Sequence, residues 1–443
     1  MALTIFGTMN TATTGMMTSQ TGINVTSNNI SNVNTPGYSR RRIHAQTAGE
    51  IYYRGAGYIG TGSTVSEINR VRDQYLEAQI RQETSKTHEY IVKKDVLSEI
   101  EFIFNEPSDT GLNAMMSKFW SSLEELSKHP DNATLHTSVI QSSSNLADLF
   151  VHLKGQLNDL SQSVDDRLDQ QIDLAVSTID QLNQVNEALE RAYRQDPTQS
   201  PNELLDQRDN LTRQLSEIMP ITVKENVNGT VTVIADLAGQ PATANDVLSF
   251  TRDDIVDKLD KFTSGTLKGY VDSQVEISDN YLSRLNQMAS TFADEINKVQ
   301  GFDFFTYDPA NPAGTLKVND GLLSGQLSIN VGPNGAGDNS VVLEMLKIRN
   351  QTFKIGQTDV TFEQYFKQMI SDLGISSQHA KSMVQTQDKL LTYLETQYLS
   401  ISGVSMDEEI VNLVQYQKAY DANAKVIATL TDMLDTIINR MGA

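Results

Sequence analysis

Residues 28–40 read Asn28-Asn29-Ile30-Ser31-Asn32-Val33-Asn34-Thr35-Pro36-Gly37-Tyr38-Ser39-Arg40, and this stretch ends one pattern and turns the chain. Proline disfavours the helical region for its predecessor, so Pro36 pushes Thr35 out and the helix upstream should stop near Asn32 to Asn34. Pro36-Gly37 fits the two central positions of a type II turn, with Gly37 supplying the positive φ, and a chain reversal follows. Upstream, Ile5, Met9, Ala12, Met16, Ile23, Ile30 and Val33 recur in steps of three, four and seven, which is a helical seam. No Asp, Glu, Lys or Arg occurs before Arg40. A helix in a monomer normally keeps a charged solvent face, whereas a neutral one suits dense packing among copies, where repeated like charges would repel.

The other end carries a pattern of the same kind. Met406, Ile410, Leu413, Tyr420, Ala424, Ile427, Leu434, Ile438 and Met441 keep one register, opened by the capping box Ser405-Met406-Asp407-Glu408 and closed by Gly442. Two seams at opposite termini predict pairing, with each other or with neighbouring copies. An ordinary intramolecular bundle is the plainer account, and the uncharged start argues against it. Alone, both ends bury little and contain helix-weak Thr, Ser, Asn and Gly, so they are expected to be mobile before assembly.

Between the termini the pattern is mostly helical. Apolar spacing supports a helix from Val65 to Phe104, stopped by Asn105-Glu106-Pro107, and a second from Leu112 to Lys128, ending before Pro130. A third runs through Leu146, Leu153, Leu160, Ile172, Ile179 and Leu189 up to Asp196-Pro197. Some sixty helical residues span on the order of 90 Å, a strut rather than an active-site scaffold. Ser200-Pro201-Asn202-Glu203 reads as a capping box starting a helix that stops at Pro220. Ile221 and Val223, then Val231 and Val233, alternate about Asn228-Gly229, a strong hairpin signal that opens a β insertion running to about Ser264. Helical spacing returns from Leu267 to Val299, at Tyr365 to Leu373 and from Val384 to Leu399, with residues 302–345 irregular or short-stranded.

Composition excludes more than it assigns. The 443 residues are enough for about three domains. They include no cysteine, so disulfides and thiolate metal sites are excluded. A net charge of -21 argues against nucleic acid, and no apolar run is long enough to span a membrane. The neutral start lacks the basic region and continuous apolar core of a cleaved signal peptide.

Several motifs suggest chemistry, and each has a plainer account. Gly55-Ala56-Gly57-Tyr58-Ile59-Gly60 spells G-x-G-x-x-G, but a dinucleotide site needs a helix starting within that turn, and Thr61 to Ile68 reads as extended. A glycine-rich hairpin turn is favoured. His44, His88, His129, His136, His152 and His379 contain no i, i+4 pair, so no helical metal site and no cofactor is expected. Asp165, Asp166, Asp169 and Asp173 share a helix face with Arg167 beside them, which reads as a solvated face. No Ser-His-Asp elbow, H-E-x-x-H or P-loop appears, and an enzyme is not expected. Arg40-Arg41-Arg42 with Arg54, Arg70 and Arg72 is the one basic concentration, and internal or intersubunit ion pairs explain it equally well.

The stretch from Asn28 to Arg40 closely resembles the N-terminal motif of bacterial flagellar axial proteins, the rod, hook and hook-associated proteins. Ser402-Gly403-Val404-Ser405-Met406-Asp407-Glu408-Glu409 and the helix after it resemble the matching C-terminal motif. Together with Asn34 to Arg40, Asn202-Glu203-Leu204-Leu205-Asp206-Gln207-Arg208-Asp209 is most similar to the hook-associated members. The resemblance implies a structural subunit joining hook to filament, exported by the flagellar type III route to lie outside the cell. Its implied partners are itself in a ring at the hook tip, the hook protein, hook-associated protein 3 and an export chaperone on the C-terminal helix. Another axial protein such as hook-associated protein 3, or a helical type III secreted effector or translocator, remains the alternative. The expected fold is mainly α and elongated, with paired terminal helices (1–50 with 400–443), a helical rod (51–219 with 265–399) and a small β-rich outer domain (220–264). The expected assembly residues are Ile5, Met9, Met16, Ile23, Ile30, Asn34, Pro36, Gly37 and Tyr38 at the start, and Ile410, Leu413, Tyr420, Ile427, Leu434 and Ile438 at the end.

Overall fold

The computed structural model describes residues 2–53, 57–105, 108–239, 246–335 and 337–440. Helix α1 (Ala2–Ser31) leads through the Pro36-Gly37 turn into four short strands, β1 (Arg41–Thr47), β2 (Glu50–Tyr53), β3 (Gly57–Gly60) and β4 (Ser63–Arg70). Helices α2 (Gln74–Phe104), α3 (Leu112–Lys128), α4 (Ala133–Gln195) and α5 (Asn202–Ile218) follow, then the hairpin β5 (Ile221–Glu225) and β6 (Val231–Ala235). Helix α6 (Gly265–Val275) runs through a π-helical segment, Glu276–Leu282, into α7 (Ser283–Gln300). The chain finishes with α8 (Ser340–Ile348), the hairpin β7 (Phe353–Ile355) and β8 (Thr358–Val360), α9 (Phe362–Ser402) and α10 (Met406–Asp435).

Packing separates two compact units, residues 1–85, 174–255 and 388–443 in the first and 86–173 and 256–387 in the second. The three-way division expected from sequence punctuation remains a proposal beside these two units. Helices α2, α4 and α9 carry no breaker where the units divide, so their apolar rows hide the boundary. Of residues 220–264, expected as a β-rich domain, those up to Ile255 give the first unit one hairpin and short helical turns, and those from Val256 belong to the second.

The second unit is organised around aromatic rings. On α3, Leu112, Met116, Phe119, Trp120, Leu123 and Leu126 are buried at three- and four-residue steps, the stripe a helix presents to a core. Phe292 of α7 meets Phe119, Trp120, Phe305 and Phe362 with ring centroids 5.4–5.9 Å apart, mostly edge to face. The irregular segment expected over 302–345 closes this core with Phe304, Phe305, Leu316 and Val318, all buried. The β7–β8 hairpin was not legible, because three-residue strands are too short to show a period.

In the first unit, β1 pairs antiparallel with β4 across a bulge at His44/Ala45, and β2 with β3. The helix expected from Val65 begins at Gln74 instead. Val65 and Ile68 belong to β4, and Asp73 caps the helix, its Oδ1 accepting from the amides of Tyr75 and Leu76 at 3.0 and 3.1 Å. The G-x-G-x-x-G run enters a strand pair and not a helix: Gly57–Gly60 lies antiparallel to β2, while Arg54, Gly55 and Ala56 fall outside the described residues. Asn228-Gly229 makes the expected turn of β5–β6, with Gly229 at φ 70°. The two capping boxes do not form. Pro201 and Ser405 flank α5 and α10 without a side-chain cap bond, and Asn202 Nδ2 donates to the Ile68 carbonyl at 2.8 Å instead.

Candidate functional site

Helix α1 ends at Ser31, and the Tyr38 amide donates to the Thr35 carbonyl at 3.2 Å, closing the turn over Pro36-Gly37. Gly37 sits at φ 76°, and a Cβ there would run into the Asn210 amide group, so the position excludes side chains on two counts. Asn34, Pro36 and Gly37 are exposed and Tyr38 is half-buried.

Helices α1 and α10 lie against each other within the first unit. Among the described side chains of α1, Ala12, Ser19, Gly22, Thr26 and Asn29 are fully buried, whereas Ile5, Met9, Met16, Ile23 and Ile30 are half-buried. Small and polar residues thus make the close contact, and the apolar seam borders it. On α10, Leu413, Tyr420, Ile427 and Leu434 are half-buried, but Ile410 and Ile438 are 47% and 67% exposed. These two lie off the paired face, where Glu409 and Leu430 are buried. Met441 and Gly442 fall outside the described residues.

A polar clip joins the two terminal motifs. Glu409, 2% exposed, accepts from Asn29 Nδ2 at 3.0 Å and from Arg40 Nε at 2.8 Å. The Asn29 amide also donates to the Arg41 carbonyl at 2.9 Å, while its oxygen accepts from the Arg41 backbone amide at 3.0 Å and the Tyr38 hydroxyl at 2.7 Å. Burial pushes the Tyr38 hydroxyl up to about 12, so it stays a donor at neutral pH. Arg40 also reaches Glu408 at 2.8 Å, and its amide donates to the Ser402 carbonyl at 3.2 Å. Asn29 and Glu409 were not singled out from sequence. A polar residue recurring on an otherwise small, apolar face was the signal available at Asn29.

Four arginines of the basic concentration, Arg40, Arg41, Arg70 and Arg72, form internal ion pairs. Arg41 and Arg70 bind Asp206 at 3.3 and 2.9 Å, Arg70 binds Asp209 at 2.7 Å, and Arg72 pairs with Glu77. Arg208, 1% exposed, donates to Asp209 at 2.7 Å and Glu225 at 2.9 Å and to the Gly229 carbonyl, tying α5 to the β5–β6 turn. Burial would raise the Asp209 carboxyl, but Arg208, Arg70 and Arg72 more than offset it and hold it below the usual carboxylate range. A depressed folded value stabilises fully above the unfolded value of about 3.9 and is lost as pH falls through the folded one. The first unit should therefore lose stability in acid below about pH 4, and Asp209→Asn should flatten that dependence. Acid titration followed by amide exchange on α5 checks it; an unchanged slope in Asp209→Asn would count against the network. Arg167, next to the aspartate run, turns to Glu99 at 2.7 Å.

Three family descriptions match the chain: the flagellar hook-associated protein FlgK helical domain over residues 97–307, the flagellar basal body rod FlgEFG protein C-terminal over 395–441, and the flagella basal body rod protein over 9–38. The chain is 27% identical to flagellar hook-associated protein 1 of Bacillus subtilis over 98% of each chain. It is 23% identical to that of Escherichia coli over 97% of this chain and 99% of the other. The solved flagellar hook junction protein FlgK of Burkholderia pseudomallei aligns over 52% of this chain and 47% of its own, with a TM-score of 0.42 and 17% identity. With alignments running end to end and both terminal motifs matched, the chain is similar along its whole length to flagellar hook-associated protein 1, which supports a structural and not an enzymatic protein.

Proposed function

We propose that this chain is the hook–filament junction subunit that adds to the hook tip through its α1–α10 pair. The observation that carries the reading is that the two ends meet in one helix pair whose first helix has no charged residue, so copies can crowd without repulsion. Apolar residues remain exposed on α10 outside that pairing, among them Val411, Val414 and Met433. A ring of copies would cover them, with hook protein on one side and hook-associated protein 3 on the other. Before export a dedicated chaperone would hold the C-terminal helix by the anchors that later face α1, Leu413 and Ile427 among them, as amphipathic helices dock in grooves.

The test is the double change Leu413→Asp with Ile427→Asp in cells lacking the native chain. Both positions lie half-buried on the paired face, and burying an unpaired carboxylate there costs several kcal/mol. Hook tips should carry no antibody label for the chain, cells should lack filaments, and a chaperone pull-down should fail, while the second unit keeps its fold. Labelled hook tips at native density would overturn the assembly reading; chaperone capture at native affinity would overturn the shared face.

A further inference from the structure

Gly15, Gly22 and Asn29 lie one heptad apart on α1, and each meets one residue of α10. A Cβ at Gly15 would lie 2.9 Å from the Asn423 amide, and one at Gly22 would lie 2.7 Å from the Tyr416 ring. Asn29 donates to Glu409 at 3.0 Å. In each pair the two position numbers add to 438, so the helices run antiparallel in strict seven-residue register. Two glycine holes receive side chains from α10, and one hydrogen bond closes the row.

The steric part of this row tolerates one error. Sliding α10 by one heptad, about 10 Å, so that paired numbers add to seven fewer would seat Tyr416 over Gly15, which is also a hole. Small buried neighbours such as Ala12, Ser19 and Thr26 offer little shape to resist that slide. What changes is the polar end: Glu409 would face Gly22, away from Asn29 and Arg40, and a buried carboxylate would lose its partners. The opposite slide would drive Tyr416 onto Asn29, which is no hole. We infer that Asn29 and Glu409 are the register key of the terminal pair: they exclude the one slipped alignment that the glycine holes allow. The inference concerns pairing within one chain and stands apart from the hook-tip reading, so failure of either leaves the other in place.

The native chain has no cysteine, so engineered bridges report register directly. Ser19 lies opposite position 419 in native register and opposite 412 in the slipped one, by the same spacing. In the full chain, Ser19→Cys with Ala419→Cys should oxidise at least about tenfold faster than Ser19→Cys with Asn412→Cys. Adding Asn29→Leu and Glu409→Leu should bring the two rates within about threefold, because neither register then buries a carboxylate away from its partners. An unchanged ratio would overturn the key. If the double-leucine chain closes neither bridge, Asn29→Ser with Glu409→Gln is read by the same ratio: a fall supports the key and an unchanged value overturns it.

Discussion

Replacing Glu409 with alanine is expected to release α1 from α10 and to leave the second unit as stable as before. The carboxylate is 2% exposed and is the shared acceptor of Asn29 and Arg40, which it holds at 3.0 and 2.8 Å. Truncation leaves a buried amide and a largely buried guanidinium without that acceptor, at a cost of about 3–5 kcal/mol. The pair has little to set against such a loss. Its fully buried residues on α1 are small or polar, so apolar burial contributes modestly, and a helix rich in Thr, Ser, Asn and Gly has little intrinsic stability of its own. Glu409→Gln keeps the shape and an acceptor for Asn29, and Arg40 keeps Glu408 at 2.8 Å, so it should cost only about 1–2 kcal/mol. Amide exchange measures both changes, with α3 and α7 as the internal reference. Native protection of α1 in Glu409→Ala would show that the clip does not hold the pair.

The sequence carried the helices because their information is periodic, and it carried the turn because Pro36 and Gly37 each have one strong backbone preference. The limits of α3 follow from Leu112 through Lys128 and the proline after them, and α5 stops at Pro220 for the same reason. The start of α2 was misjudged because Val65 and Ile68 fit a strand and a helix equally well until their partner strand is known. On the terminal pair, the apolar seam of α1 borders the contact and Ile410 and Ile438 of α10 lie off it, so neither seam marks the residues in closest contact. Close approach there selects glycine, alanine, serine and threonine, which carry no hydrophobic signal, as Gly22 against Tyr416 shows. The clip was hidden for a further reason. Asn29 and Glu409 are 380 positions apart, and a hydrogen bond of that span leaves no local pattern. The arginines could be counted from sequence, but only the fold brings Asp206 and Asp209 to Arg70.

Phe292→Ala should produce the largest loss in the second unit. Its ring is 1% exposed and meets four aromatic rings drawn from α3, α9 and the segment after α7. Removing it leaves a cavity that these flat, tightly seated neighbours cannot fill by relaxing, so the cost should fall near about 3–5 kcal/mol. For a unit of this size each kcal/mol moves the midpoint by about 2–4 °C, which predicts a drop of roughly 6–20 °C. The readout is built in, since Trp120 is the only tryptophan, is 3% exposed and lies 5.9 Å from the Phe292 ring. Its emission therefore follows the second unit and not the first. Phe102→Ala is the control: that residue is 81% exposed on α2, and its loss should change stability by no more than about 0.5 kcal/mol. A shift for Phe292→Ala no larger than for Phe102→Ala would mean that the aromatic cluster is not what holds the unit together. Amide exchange on α5 should stay native in both variants, because Arg208, Asp209 and Glu225 form their network wholly within the first unit.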